Sequence, residues 1–189
     1  MSTRRAKAPE SDLPGSGGLD RRTFLGGAAV LVLAPWAARA EDAPGALPPD
    51  TLAALEKSGF VYVSPLLGDG SESTCHGEVW YGWIDSAVYL TTSPTSWKAR
   101  AAARGLDARI WVGDHGLWKR PLGRNEAFRA APHFDARVKA VKDAAAHAEL
   151  MRIFARKYGA EFTGTWKPRM EKGYADGSRV LLRYEPRLT

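Results

Sequence analysis

Between Thr91 and Arg100 the chain gathers five hydroxyls, those of Thr91, Thr92 and Ser96 among them, and two cations, Lys98 and Arg100. Hydroxyl donors beside full positive charges are what a phosphate needs, because each adds a charge-assisted hydrogen bond from a different direction. Ser93-Pro94 suits a helix start, with Ser93 as the cap and Pro94 at the first position. A helix N-terminus there would add unpaired backbone N–H groups and a partial positive charge. The competing reading is plainer: the hydroxyls cap the helix and the cations form a solvated face.

Little else in the sequence suggests a reacting centre. The four histidines, His76, His115, His133 and His147, make neither an H-x-H nor an H-E-x-x-H pair, so no metal is expected. Cys75 is the only cysteine and has no partner for an internal disulfide. His76 follows it directly, but neighbours on a strand point to opposite faces, which argues against a reactive thiol. No triad or carboxylate dyad is evident, and no side chain is assigned a catalytic role. Trp111, Trp118 and Trp166 read as core or interface aromatics.

The elements that must position the hydroxyl–cation group come from hydrophobic periodicity. Phe60–Ser64 is rich in β-branched and aromatic residues and stops at Pro65, which reads as a strand. A second strand is expected from Cys75 to Trp83, with Val79, Tyr81 and Trp83 on one face and Glu78, Trp80 and Gly82 on the other. Asp85-Ser86 turns it into Ala87–Thr92. Large side chains on both faces predict that one looks into a barrel and the other onto a ligand or a second subunit. A short helix ends at Gly105, a third strand spans Arg109–Val112, and Leu117–Leu122 with Ala127–Ala131 suggest another hairpin. Helical spacing predicts a long helix from Asp135 to Tyr158, closed by Gly159. Phe162–Lys167 reads as irregular, and Ser178–Glu185 as a closing strand. A short helix over Thr51–Ser58, capped by Asp50, precedes the first strand. The expected fold is mainly β (β+α): a small antiparallel split barrel with one short and one longer helix.

Residues 1–40 read as an export leader. Arg21-Arg22 precedes an apolar run from Phe24 to about Trp36, and Ala38-Arg39-Ala40 supplies the small residues of a cleavage site. The run is too short to span a bilayer, so no stable membrane anchor is expected. The paired arginines resemble the twin-arginine type, which implies a periplasmic or otherwise exported protein handled by that machinery. Six of the 27 basic residues and three of the 21 acidic ones leave with the leader, taking the net charge from +6 to +3. No long basic run remains to suggest nucleic acid. Residues 41–59 form a lead-in with the short helix, and 60–189 one domain of a size that supports a core.

The hairpin around Asp85-Ser86, the strand ending Val-Tyr-Leu-Thr-Thr, the following Ser-Trp-Lys-Ala-Arg and the strand Arg-Ile-Trp-Val-Gly-Asp together resemble the flavin-binding split barrel of the pyridoxamine 5′-phosphate oxidase-like superfamily. The resemblance covers Phe60–Asp114 well and Leu117–Leu188 loosely. It implies FMN as cofactor, with F420 or haem as alternatives, and a homodimer with the cofactor at the interface. It places Thr92, Ser96, Lys98 and Arg100 on the phosphate, with Thr91 in support. Trp80 and Tyr81 would lie by the ring system and Ser64 at the barrel rim nearby; for haem, His76 or His133 would be the axial ligand. The arginine- and histidine-bearing C-terminal segment that recognises the vitamin in true oxidases is missing, so oxidation of pyridoxamine phosphate is not expected.

Overall fold

One sheet positions everything else. In the computed structural model, which describes residues 46–116, 119–120, 123–124 and 126–187, seven strands pair antiparallel in the order β2-β1-β5-β8-β9-β4-β3. They are β1 (Phe60–Pro65), β2 (Gly77–Trp80), β3 (Gly82–Ile84), β4 (Ala87–Thr92), β5 (Ala108–Val112), β8 (His133–Val141) and β9 (Val180–Pro186). A two-stranded ribbon of β6 (Lys119–Arg120) and β7 (Gly123–Arg124) stands apart. The proposed leader and Trp118 lie outside the described residues.

The two edge strands of the large sheet, β2 and β3, are separated in sequence only by Tyr81. The sheet therefore curls until its edges meet through one residue. Period-2 alternation then fills the interior: Val61 and Val63, Val88 and Leu90, Ile110 and Val112, Phe134, Ala136 and Val138, and Leu182 and Tyr184 form one cluster. Helix α1 (Pro49–Lys57) closes one end through Leu55, and α2 (Trp97–Ala103) packs Trp97 and Ala102 against the same cluster. The result is a split β-barrel of the β+α class.

The closure is incomplete. β3 pairs with β4 from Gly82↔Tyr89 to Ile84↔Ala87, across a tight turn in which Asp85 and Ser86 both take positive φ. Upstream of Tyr81 the chain swings away, and β2 pairs with β1 instead. Leu90, Thr91 and Thr92 keep β9 on one side and lose a strand on the other. That gap is the split.

The outer face of this seam is covered by α3 (Ala144–Glu161) and α4 (Lys167–Ala175). Gly82 makes the approach close: a Cβ there would stand 2.7 Å from Leu150 and 3.1 Å from Ile153. The second face of the strand, expected to meet a ligand or another subunit, is thus largely packed by the chain itself. The expected Asp135–Tyr158 helix is corrected. His133–Val141 is a strand, because Phe134, Ala136 and Val138 alternate inward, and Val138 and Val141 only mimic helical spacing. The helix begins after Asp143, whose carboxylate caps Ala146 N at 2.9 Å. Gly159, at φ 53°, breaks it as expected. The chain then continues through a π turn at Phe162–Trp166 into α4, where the sequence suggested irregular structure. Ala127–Ala130 is a 3₁₀ turn rather than a strand.

Candidate functional site

A cavity of about 420 Å³ opens in the split. Glu78, Val79 and Trp80 of β2 form one wall and Thr91 of β4 the other, while Glu161 and Trp166 overhang from the helical segment. Its size falls within the span of small-molecule sites, roughly 300–1,000 Å³. Trp80 is held firmly: its ring stacks on Tyr158 at 4.3 Å and meets Phe154, Phe162 and Trp166 edge-on at 6.0–6.2 Å. The Thr91 hydroxyl is buried here with no hydrogen-bond partner. An unsatisfied polar atom of this kind costs about 1–3 kcal/mol.

The hydroxyl–cation group stands on the other side of the sheet. Gly77 and Thr92 adjoin Glu78 and Thr91 in sequence but alternate toward the barrel face where Trp97 packs, and Thr92, Ser96 and Lys98 do not line the cavity. Gly77 precedes Glu78, and a Cβ on it would lie 2.9 Å from the Trp97 ring and 3.7 Å from Lys98 Nζ. Thr92 follows Thr91 and donates to Ser96 Oγ at 3.0 Å. Ser96, not Ser93, is the N-cap of α2: its Oγ also accepts from Ala99 N at 3.2 Å. With both acceptor positions used, what Ser96 still offers is its own O–H. Lys98 is half-buried over the Trp97 ring at 4.5 Å and has no carboxylate partner among the described residues. Burial pushes its pKa down, as expected for an ammonium without a counter-ion. An anion at this point would relieve both deficits. Seven residues make α2 too short for its dipole to matter much, so the side chains carry the case.

The remaining sequence-derived candidates go elsewhere. Arg100 is exposed and turned back on its own loop, where its guanidinium donates to Thr95 O. Tyr81 is corrected: its ring is fully buried inside the barrel, with its hydroxyl on Leu55 O at 2.7 Å, because the alternation that sends Trp80 outward sends Tyr81 inward. Lys157 Nζ lies 3.7 Å from the centre of that ring.

Ser64 is corrected as well. It is fully buried on the outer face of β1, 2.5 Å from His76 Nδ1, and does not line the cavity. Arg129 stands 3.0 Å from His76 Nε2, and a guanidinium can only donate, so Nε2 is the acceptor and Nδ1 carries the proton. His76 therefore donates to Ser64, which donates on to Glu72. The pair runs opposite to a nucleophilic serine dyad, in which histidine must accept. Glu72 also receives Arg129 at 3.0 Å, Arg109 at 3.3 Å and the Trp111 indole at 3.3 Å. Burial opposes its ionisation, but Ser64, Trp111 and Arg129 together hold its carboxyl below the usual range. His76 has both ring nitrogens engaged and cannot serve as a haem ligand without losing them. His133 is exposed against Trp111, at 4.2 Å between ring centres. No group of three or more potential metal ligands occurs among the described residues.

Glu78, Glu161, Phe154 and Met170 were not singled out in the sequence. Glu78 was legible as facing the same way as Trp80; Glu161 and Met170 depend on a π turn that no local signal announced.

No protein-family model matches the chain, and no curated protein matches it. Among solved structures, the heme storage protein HutZ from Vibrio cholerae aligns with 11% identity over 76% of this chain and 92% of its own, with a TM-score of 0.48. An FAD-binding protein from Mesorhizobium loti aligns with 16% identity over 72% and 86%, at 0.45. The FAD and heme binding protein from Mycobacterium smegmatis aligns with 14% identity over 77% and 69%, at 0.46. Likeness at this level concerns the chain path alone.

Proposed function

We propose that this chain is an exported, homodimeric flavin-binding oxidoreductase whose cofactor, FMN or the related F420, occupies the split. Lys98 and the Ser96 hydroxyl hold the phosphate, with Thr92 orienting Ser96. Trp80 and Thr91 border the ring system, Thr91 supplying a hydrogen bond. A bound flavin would supply hydride transfer at N5. The protein's own part is to orient, to exclude water with the aromatic wall, and to tune charge, so no general base is required.

The observation that carries this reading is a set of unfilled donors on the two faces of the sheet at its split: a buried threonine hydroxyl lining the cavity and, on the barrel face, a serine O–H with both acceptor positions used and a lysine without a counter-ion. Export rests on the paired arginines and the cleavage site at Ala40, and no helix among the described residues is long and apolar enough to cross a membrane. The test is purification of the exported protein, an absorbance scan and mass identification of whatever co-purifies. Flavin bands with a phosphate-bearing flavin in the mass spectrum support the reading; a colourless protein that takes up no added flavin overturns it. Light scattering on the same sample checks for the dimer.

A further inference from the structure

The cleft also carries a signal of opposite sign. Two carboxylates, Glu78 and Glu161, line it between the rings of Phe60, Trp80, Phe154 and Trp166. Some carboxylates are ion-paired, among them Glu72, Asp107, Asp135, Glu149 and Glu185. Among the described residues Asp50, Glu56, Asp69, Asp85, Asp114, Asp143 and Asp176 are not, so it is the position of Glu78 and Glu161 in an aromatic cleft that sets them apart. Glu78 and Glu161 have no ion-pair partner among the described residues, although the chain carries a net charge of +6. Glu78 is steadied by Tyr62 Oη, which donates to Oε2 at 2.8 Å. Tyr62 is pinned in turn, accepting from His115 N at 3.0 Å and stacking on Phe128 at 4.7 Å. Arg169 lies over the Trp166 ring at 5.7 Å but does not line the cleft and bonds neither carboxylate.

Aromatic walls attract a cation through their ring quadrupoles, and unpaired carboxylates add full charge at the same place. We infer that the cleft binds an organic cation, a quaternary ammonium or protonated amine with an apolar body, as the substrate class of this site. The inference rests on the split being the ligand site, not on flavin being the cofactor. Glu78 and Glu161 take the cationic group of the ligand. Apolar contacts from Phe154 and Met170 serve the body of the molecule.

The test is calorimetric titration of the purified chain with choline and, in parallel, with its neutral isostere 3,3-dimethylbutan-1-ol. Choline is expected to bind about tenfold more tightly than the alcohol and to weaken with added salt. Glu161→Gln and Glu78→Gln should each weaken choline by roughly threefold or more and leave the alcohol unchanged. Glu161 is exposed, so its variant keeps the test open if Glu78→Gln, which alters the acceptor of Tyr62, folds poorly. Absence of choline binding, equal binding of the two probes, or indifference to Glu161→Gln overturns the inference. A parallel FMN titration separates the two claims: choline selectivity without FMN binding sinks the flavin reading alone, and FMN binding without choline selectivity sinks this one alone.

Discussion

Two polar regions of this barrel look alike in composition and differ in satisfaction. Around Glu72, a serine, a histidine and two arginines form a closed circuit in which each donor meets an acceptor. On the two faces of the sheet at the split, Thr91 on one and Ser96 with Lys98 on the other have capacity that the protein leaves unused. The first region has the residue types of catalysis and the hydrogen bonding of a structural lock; the second has modest residue types and donors that meet no acceptor in the protein. Residue type alone does not anticipate that difference. The reason is energetic: buried polar groups are costly unless paired, so a group left unpaired marks where something else is meant to arrive.

Mutation should separate the two regions, and the largest effect belongs to the lock. Glu72→Ala removes a carboxylate whose side chain is only 11% exposed and takes away the acceptor of four donors, of which Ser64 and Trp111 are left stranded. Arg109 keeps Asp135 and Arg129 keeps Glu126. The loss should therefore sit near the lower end for a broken buried pair, about 3 kcal/mol in urea unfolding. The same carboxylate sets an acid limit. Its folded pKa lies below its unfolded one, so its contribution is present above the ordinary carboxylate range and fades as pH falls through the folded value. The Glu72→Ala variant should lose that part of the acid dependence.

Ser64→Ala should cost about 2 kcal/mol, because His76 Nδ1–H then lacks an acceptor. Thr91→Val should act in the opposite sense. It deletes a hydroxyl with no partner while keeping the shape, and should raise the stability of the ligand-free protein by about 1 kcal/mol while weakening flavin binding. If Thr91→Val destabilises as Ser64→Ala does, the contrast between the regions fails.

A separate, pH-dependent effect concerns Lys157, another unpartnered group, behind Tyr81 at the seam. Burial lowers its pKa from 10.5 to about 8. Between those values the unfolded chain holds the proton that the folded chain has released, so stability should rise with pH across that window. Lys157→Met should flatten the rise, as read from melting temperatures in a pH series.

Much of the barrel was legible because alternation is a strong signal where a strand has one face inside. Val61 and Val63, Trp80 against Tyr81, and the Asp85-Ser86 turn all stand as the pattern implied. The cap of α2 moved from Ser93 to Ser96, since hydroxyls three residues apart offer equivalent signals and tertiary packing of Trp97 selects between them. The His133–Val141 strand was masked by alanines and valines that fit either period. Of the residues singled out in the sequence, Thr91 and Trp80 line the cleft, while Thr92, Ser96 and Lys98 group together on the barrel face. Ser64, Tyr81 and Arg100 do not, because which wall of a curled sheet faces a gap depends on pairings distant in sequence.

The central claim is that the split holds a phosphate-bearing flavin through Lys98. The direct measurement is a fluorescence titration of FMN and of riboflavin, which lacks the phosphate, against the wild-type chain and Lys98→Ala. The account predicts that wild type prefers FMN and that Lys98→Ala weakens FMN by about tenfold or more while leaving riboflavin unchanged. Equal binding of the two flavins by wild type, or an FMN affinity untouched by Lys98→Ala, would contradict it.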